Sequence, residues 1–184
     1  MKDKLNIYSK NITSQHGEDG ILNYIIDSIE EKIIHTCCEF GAWDGVFASN
    51  CFNLWNTQGW SAVLIEGDKD KYESLLNNTK DFKNVISHNC FVESHENNSL
   101  DDIFTQNNYP KDLGILSIDI DSYDYHVWKN LNIYLEMVLL NMTVKLMKII
   151  KKDIISLITN LLRVLTILRN FKKNIIKKLK IISK

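Results

Sequence analysis

Proline and glycine are scarce and unevenly placed in this chain. Its 184 residues include one proline and seven glycines, and all eight lie before residue 115. The last 70 residues therefore contain none of the usual helix-ending or turn-forming residues. Cysteine is sparse too: Cys37, Cys38, Cys51 and Cys90 fit neither a disulfide framework nor paired CxxC zinc knuckles. Reduced thiols in a cytoplasmic protein are the expectation, and there the sequons at Asn11, Asn77, Asn97 and Asn141 carry no glycan. The five histidines lack HxxxH or HExxH spacing, which argues against a zinc site. The polar N-terminus, MKDKLNIYSKNITSQH, has no apolar signal-peptide core. No uncharged run beyond residue 135 exceeds the nine residues between Asp153 and Arg163, against the roughly 20 a membrane span requires.

What is present suits one folded domain. The composition is 45% hydrophobic with four tryptophans, enough for a core at this length and too apolar for a disordered chain. The net charge of −1 conceals an asymmetry. Residues 1–134 carry 10 Lys+Arg and 21 Asp+Glu, a balance of −11; residues 135–184 carry 12 and 2, a balance of +10. An acidic body with a basic tail raises the question of an anionic partner for the tail.

The first part alternates between two periodicities. Residues 18–31 place Ile21, Ile25 and Ile29 on one face of an amphipathic helix, with Glu18 and Asp19 in its first turn. Four short apolar runs follow, at 33–41, 61–68, 84–91 and 113–120, with a candidate fifth at 137–141. The segments between them read as helices or loops. This order predicts an α/β fold: a Rossmann-like, doubly wound, mostly parallel sheet over residues 1–134, covered on both faces. Residues 135–184 read as a basic helical tail. Ligands of such sheets sit beyond the carboxyl ends of the strands, so those ends are where function is sought.

The first strand runs into EFGAWDG (39–45), which has an acid and two glycines, Gly41 and Gly45, but not the third glycine of a dinucleotide fingerprint. Alone it reads equally as a cofactor turn or a plain loop. A helix starting at 46–49 would add free N–H groups to it. Trp43 could line a pocket or cap the sheet. The second strand ends in Glu66, 21 residues after Gly45, close to the spacing of about 20 at which an acid grips ribose hydroxyls. The fourth ends in Asp119-Ile120-Asp121, and alternation puts both carboxylates on one face if the strand continues. Such a pair suits proton transfer, a metal or a cationic cofactor. His16 and His126 are the two histidines placed near a pocket, where either could act as general base for a hydroxyl acceptor; a surface or packing role is the favoured reading for each. Cys37 and Cys38 read as small core residues.

Five ordered blocks together resemble the FkbM-type methyltransferases, enzymes that use S-adenosyl-L-methionine. They are SQHGEDGIL (14–22), EFGAWDG (39–45), GWSAVLIEGD (59–68), SLDDIF (99–104) and LSIDIDSYDYHVWKNL (116–131). The resemblance implies that Glu39, Gly41 and Gly45 frame the methionine and ribose of that cofactor. It implies that Glu66 holds the ribose hydroxyls and that Asn89 lies near the adenine. The favoured reaction is methylation of an oxygen on a sugar or small metabolite, and the acidic strand end and the pocket histidine make Asp119, Asp121 and His16 the catalytic candidates, with no metal. The expected partner is a small-molecule or glycan acceptor rather than a specific nucleic acid.

The chain departs from the family at two points. Ser122 stands where relatives have glycine, and after residue 134 the family's IEYN-like run is missing. A one-base shift in a permitted coding of LNMTVKLM (140–147) yields I-E-Y-D-C-K-I-N, which points to a frameshifted tail and an inactive fragment. Read as genuine protein, the tail suits an anionic membrane surface. The rival enzyme reading takes Asp119-Ile120-Asp121 as the DxD metal site of a glycosyltransferase. The nucleotide sequence across codons 134–150 tests the frameshift: an intact family-like frame is the expected result, and a tail shared in frame with relatives the contrary one.

Overall fold

The computed structural model describes residues 5–29, 33–93, 98–120, 124–132 and 134–140. Asp121, Ser122 and Tyr123 and residues 141–184 of the basic tail lie outside these.

Five strands form one sheet: β1 (Thr36–Phe40), β2 (Ser61–Glu66), β3 (Val85–Asn89), β4 (Asp112–Ile118) and β5 (Tyr134–Leu140). Their spatial order is β3-β2-β1-β4-β5, and every neighbouring pair is parallel. This is the doubly wound, Rossmann-like order. The chain first builds outward from β1 through β2 to β3, then crosses back to lay β4 on the other side of β1. The four expected strands are therefore present, each somewhat shorter than its apolar run, and the candidate fifth at 137–141 is present as the longer β5, in register Leu116↔Val138 beside β4. Residues 135–140, also assigned to the helical tail from the sequence, belong to this strand. The β-rich run YLEMVLL, supplied with an open strand edge, pairs rather than coils.

Helices cover both faces. The α1 helix (Glu18–Ile29) and α2 (Lys69–Thr79) pack one side, where Ile21, Leu22, Ile25 and Leu75 meet Cys37, Ala62, Leu64 and Ile115. The α3 helix (Leu100–Gln106) and α4 (Asp124–Asn130) pack the other, where Leu100, Phe104, Val127 and Trp128 meet Cys38, Phe40, Val63, Ile65 and Leu116. Period-two alternation explains the division: Cys37 and Cys38, both fully buried, serve opposite cores. A slip of one residue would exchange the two sets, so the register is strongly specified. Polar capping sets the helix starts. Asp68 accepts the amides of Asp70 and Lys71 at 3.0 Å each, and Ser99 accepts that of Asp102 at 3.2 Å. No described helix is long and apolar enough to cross a membrane.

After β1 the chain makes no helix at 46–49. It turns irregularly until a short π-helical turn, Asn53–Thr57. Four residues in this stretch, Gly41, Trp43, Gly45 and Ala48, have positive φ, which interrupts any helical run. Gly41 is the tightest point. At φ +76° it lies so close to β4 that an added Cβ would stand 1.9 Å from the Asp119 carbonyl oxygen.

Gly41 and Gly59 separate steric crowding from backbone strain, since Gly59 has φ +72° and open space around it. Gly59→Ala should cost about 1 kcal/mol, the left-handed penalty alone. Gly41→Ala should cost several-fold more, because a backbone carbonyl has to move. Urea midpoints of the two variants check this; equal losses would count against it.

Candidate functional site

In this topology the chain reverses its direction of winding between β1 and β4, and ligands of doubly wound sheets bind in the crevice outside that point. Here the crevice floor is Phe40-Gly41 beside Ile118-Asp119. The Asp119 amide donates to the Phe40 carbonyl at 3.2 Å, while the amides of Gly41 and Ala42 both donate to the Ile65 carbonyl, at 3.0 and 3.1 Å. The three central strand ends are thereby stitched together. Glycine at 41 is what permits the approach.

Glu39 sits one residue inside β1 and is 2% exposed. Its carboxylate does not open toward a ligand. It accepts from Ser49 Oγ at 2.5 Å, the Asn50 amide at 2.8 Å and Ser117 Oγ at 3.3 Å. Asn50 Nδ2 completes the group by donating to Ser117 Oγ at 3.1 Å. Ser49, Asn50 and Ser117 are all buried. Glu39 thus pins the far end of the 41–50 loop back onto β1 and β4. Burial pushes its pKa from 4.5 up to about 7, with the Asp119 charge adding to the rise and the Ser49 and Asn50 bonds opposing it.

Glu66 ends β2 and is 7% exposed. Its Oε2 accepts the Trp43 amide and its Oε1 the Asp68 amide, both at 2.8 Å. Each oxygen retains a lone pair, so the carboxylate is oriented by the backbone yet able to accept further hydroxyl donors. Asn89, at the end of β3, donates through Nδ2 to the Glu66 carbonyl at 2.8 Å. Phe91 follows, 70% exposed, with its ring against Gly67, where a Cβ would lie 2.4 Å from it. The ends of β2 and β3 therefore form a ledge of one carboxylate, one amide and one aromatic face. Phe91 was not picked out from the sequence; the CF pair closing the third apolar run was the available signal.

Gly45 packs against Leu75 of α2, and its φ of +78° completes the turn. Trp43 keeps its ring 46% exposed, under the Lys71 ammonium at 4.0 Å from the ring centre and beside Phe47. It caps the rim rather than the sheet. Asp119 is half-buried just beyond β4. The strand ends at Ile118, so alternation does not extend to a second carboxylate, and Asp121 lies outside the described residues. His16 and His126 are exposed; the His16 amide donates to Glu18 Oε2 at 2.6 Å. Among the described residues no group of three His, Cys, Asp or Glu side chains could hold a metal ion.

No protein-family model matches the chain, and no curated protein matches it. Several solved structures are similar, among them the following two. One is a Pyrococcus horikoshii protein assigned as an RNA methyltransferase, with 13% identity and a TM-score of 0.47. The other is TrmK of M. capricolum, solved in complex with its natural cofactor product S-adenosyl-homocysteine, with 12% identity and a TM-score of 0.42. The matches cover 77% and 67% of this chain, and 62% and 54% of those chains.

The Glu39 carboxyl gives the site a measurable signature. Its folded pKa of about 7 lies above the ordinary 4.5, so it favours the folded state when protonated. That contribution is complete below pH 4.5 and is lost as pH rises through 7, by about 3 kcal/mol at about 1.4 kcal/mol per unit. Glu39→Gln mimics the protonated form. The wild type minus Gln stability difference should therefore fall between pH 5 and pH 8, as read from urea unfolding. A difference that is flat across this range would refute the assignment.

Proposed function

We propose that this chain binds S-adenosyl-L-methionine across the carboxyl ends of β1, β2 and β4 and transfers its methyl group to an oxygen of a small-molecule or glycan acceptor. The observation that carries the reading is Glu66. It is an oriented, nearly buried carboxylate at the end of the strand next to β1, with lone pairs free for vicinal hydroxyls. The five-block resemblance supports the same assignment, since it implies this acid as the ribose ligand. The residues fit the group: Gly41 and Gly45 remove side chains from the turn, and the Asn89–Gly67–Phe91 ledge suits a flat, polar-edged ring. The FkbM family, the sugar or metabolite substrate and the Asn89 contact are part of this proposal.

When bound, the cofactor supplies a sulfonium methyl carbon open to in-line displacement. The protein's part is positional. Glu66 fixes the ribose, Glu39 holds the 41–50 loop without touching the ligand, and the half-buried Asp119 borders the space where an acceptor hydroxyl would lose its proton. The negative charge of Glu66 and Asp119 also favours a cationic ligand in a partly desolvated crevice. Proton removal rests with Asp119 and with Asp121 or His16, the former outside the described residues and the latter on the exposed N-terminal turn.

Calorimetric titration with S-adenosyl-homocysteine should show one-site binding. Glu66→Gln should weaken it at least tenfold, about 1.4 kcal/mol, by removing one charged acceptor while keeping the side-chain shape. Parallel titration with UDP-sugar plus manganese tests the DxD alternative. Binding in that titration alone would replace methyl transfer with glycosyl transfer, and binding in neither would remove both.

A further inference from the structure

The N-terminal block SQHGEDG has no role in the fold's sheet, yet it forms the most densely hydrogen-bonded knot in the described residues. Asp19, in the first turn of α1, is 2% exposed. Its Oδ2 accepts the amides of Ile12, Thr13 and Ser14 at 2.6, 2.9 and 2.9 Å, and Ser14 Oγ at 2.7 Å. The Asp19 amide returns a bond to Ser14 Oγ at 3.1 Å. Three successive amides converging on one carboxylate oxygen fix the backbone at 12–14. The segment before it is held as well, since the Gly20 amide donates to the Lys10 carbonyl at 2.9 Å and Tyr8 stacks on Tyr24.

The knot has one polar outlet toward the strand ends. Thr13 Oγ1 donates to the carbonyl of Ser49 at 3.0 Å. Ser49 and the next residue, Asn50, are the donors that Glu39 holds. A second tie runs in parallel: Gln58 Nε2 donates to Asn23 Oδ1 of α1 at 2.8 Å, and Ile21, Leu22 and Ile25 share a core with Cys51, Leu54 and Trp55. The irregular stretch 46–51, which belongs to no helix or strand, is therefore held by Thr13 at Ser49 and by the shared core at Cys51, with the Gln58–Asn23 bond just beyond it.

We propose that residues 11–19 are a positioning strap for the ligand-binding loop: the knot on Asp19 presents Thr13 Oγ1 to Ser49 and so sets the loop that Glu39 clamps at the strand ends. Thr13 and Asp19 are positioning residues in this scheme, acting through Ser49 on the cofactor turn. The inference rests on the methyltransferase reading for its consequence in binding, but its structural content stands apart from it.

The test uses the full chain with Thr13→Val, which removes the hydroxyl at nearly constant shape, and Thr13→Ser, which restores it. Amide hydrogen exchange at 46–52, measured without ligand, should quicken about tenfold in the Val variant and return toward wild type in the Ser variant. The dissociation constant for S-adenosyl-homocysteine should rise by a similar factor in the Val variant alone, with melting temperature little changed. Unchanged exchange at 46–52 in Thr13→Val overturns the strap, whatever the ligand result. Loss of cooperative melting in Thr13→Val also overturns it, by making the bond a support of the whole fold. Failure of the wild type to bind S-adenosyl-homocysteine, with exchange quickened as expected, removes the methyltransferase reading and leaves the strap standing.

Discussion

One buried carboxylate organises the carboxyl end of this sheet. Glu39 lies in the central strand with no exposed surface to spare, and its two oxygens take up the Ser49 hydroxyl, the Asn50 amide and the Ser117 hydroxyl. Remove these partners and a charge would be stranded in the core, at a cost of several kcal/mol. Remove Glu39 and three buried donors, the Ser49 and Ser117 hydroxyls and the Asn50 amide, lose their shared acceptor. The irregular loop is tolerable because of this mutual dependence. It has no regular structure of its own, and four of its residues stand in the left-handed region. Gly41, Trp43 and Gly45 lie in a loop whose far end is held by this buried residue of β1.

A second carboxylate does the opposite work. Glu66 is nearly as buried as Glu39, but its partners are two backbone amides, one to each oxygen, which orient it and leave acceptor capacity unused. Chemical identity does not separate the two glutamates; position does. Glu39 precedes the last residue of its strand and points among side chains, while Glu66 is the last residue of its own. The same contrast applies to Asp119 and Asp19. The first stands half-buried beyond β4, and the second gives its Oδ2 to three amides of its own segment.

Much of the fold was legible because it follows from hydrophobic period. Cys37-Cys38, Ala62 to Ile65 and Ile115-Leu116 are continuous apolar runs, and only a sheet buried on both faces needs such runs. The amphipathic period of residues 18–29 gave α1 for a similar reason. β5 was harder. YLEMVLL suits a helix or a strand equally by composition, and the open edge of β4 decides the matter. The absent helix at 46–49 was illegible for a related reason: Trp43 and Ala48 adopt positive φ that neither residue prefers, and the Trp43 amide is engaged by Glu66 of another strand.

By itself, the sequence determined the order of strands and helices, the acids and glycines at the strand ends, and the asymmetry of charge between body and tail. These are local properties, carried by spacing and by the preferences of single residues. Tertiary structure alone decided which acid faces the crevice, that Gly41 must accept a neighbouring carbonyl, and that the N-terminal block is bonded to a loop 36 residues away. Each of those depends on which strands become neighbours. The β1–β4 contact joins segments separated by five other elements, and no local pattern records it.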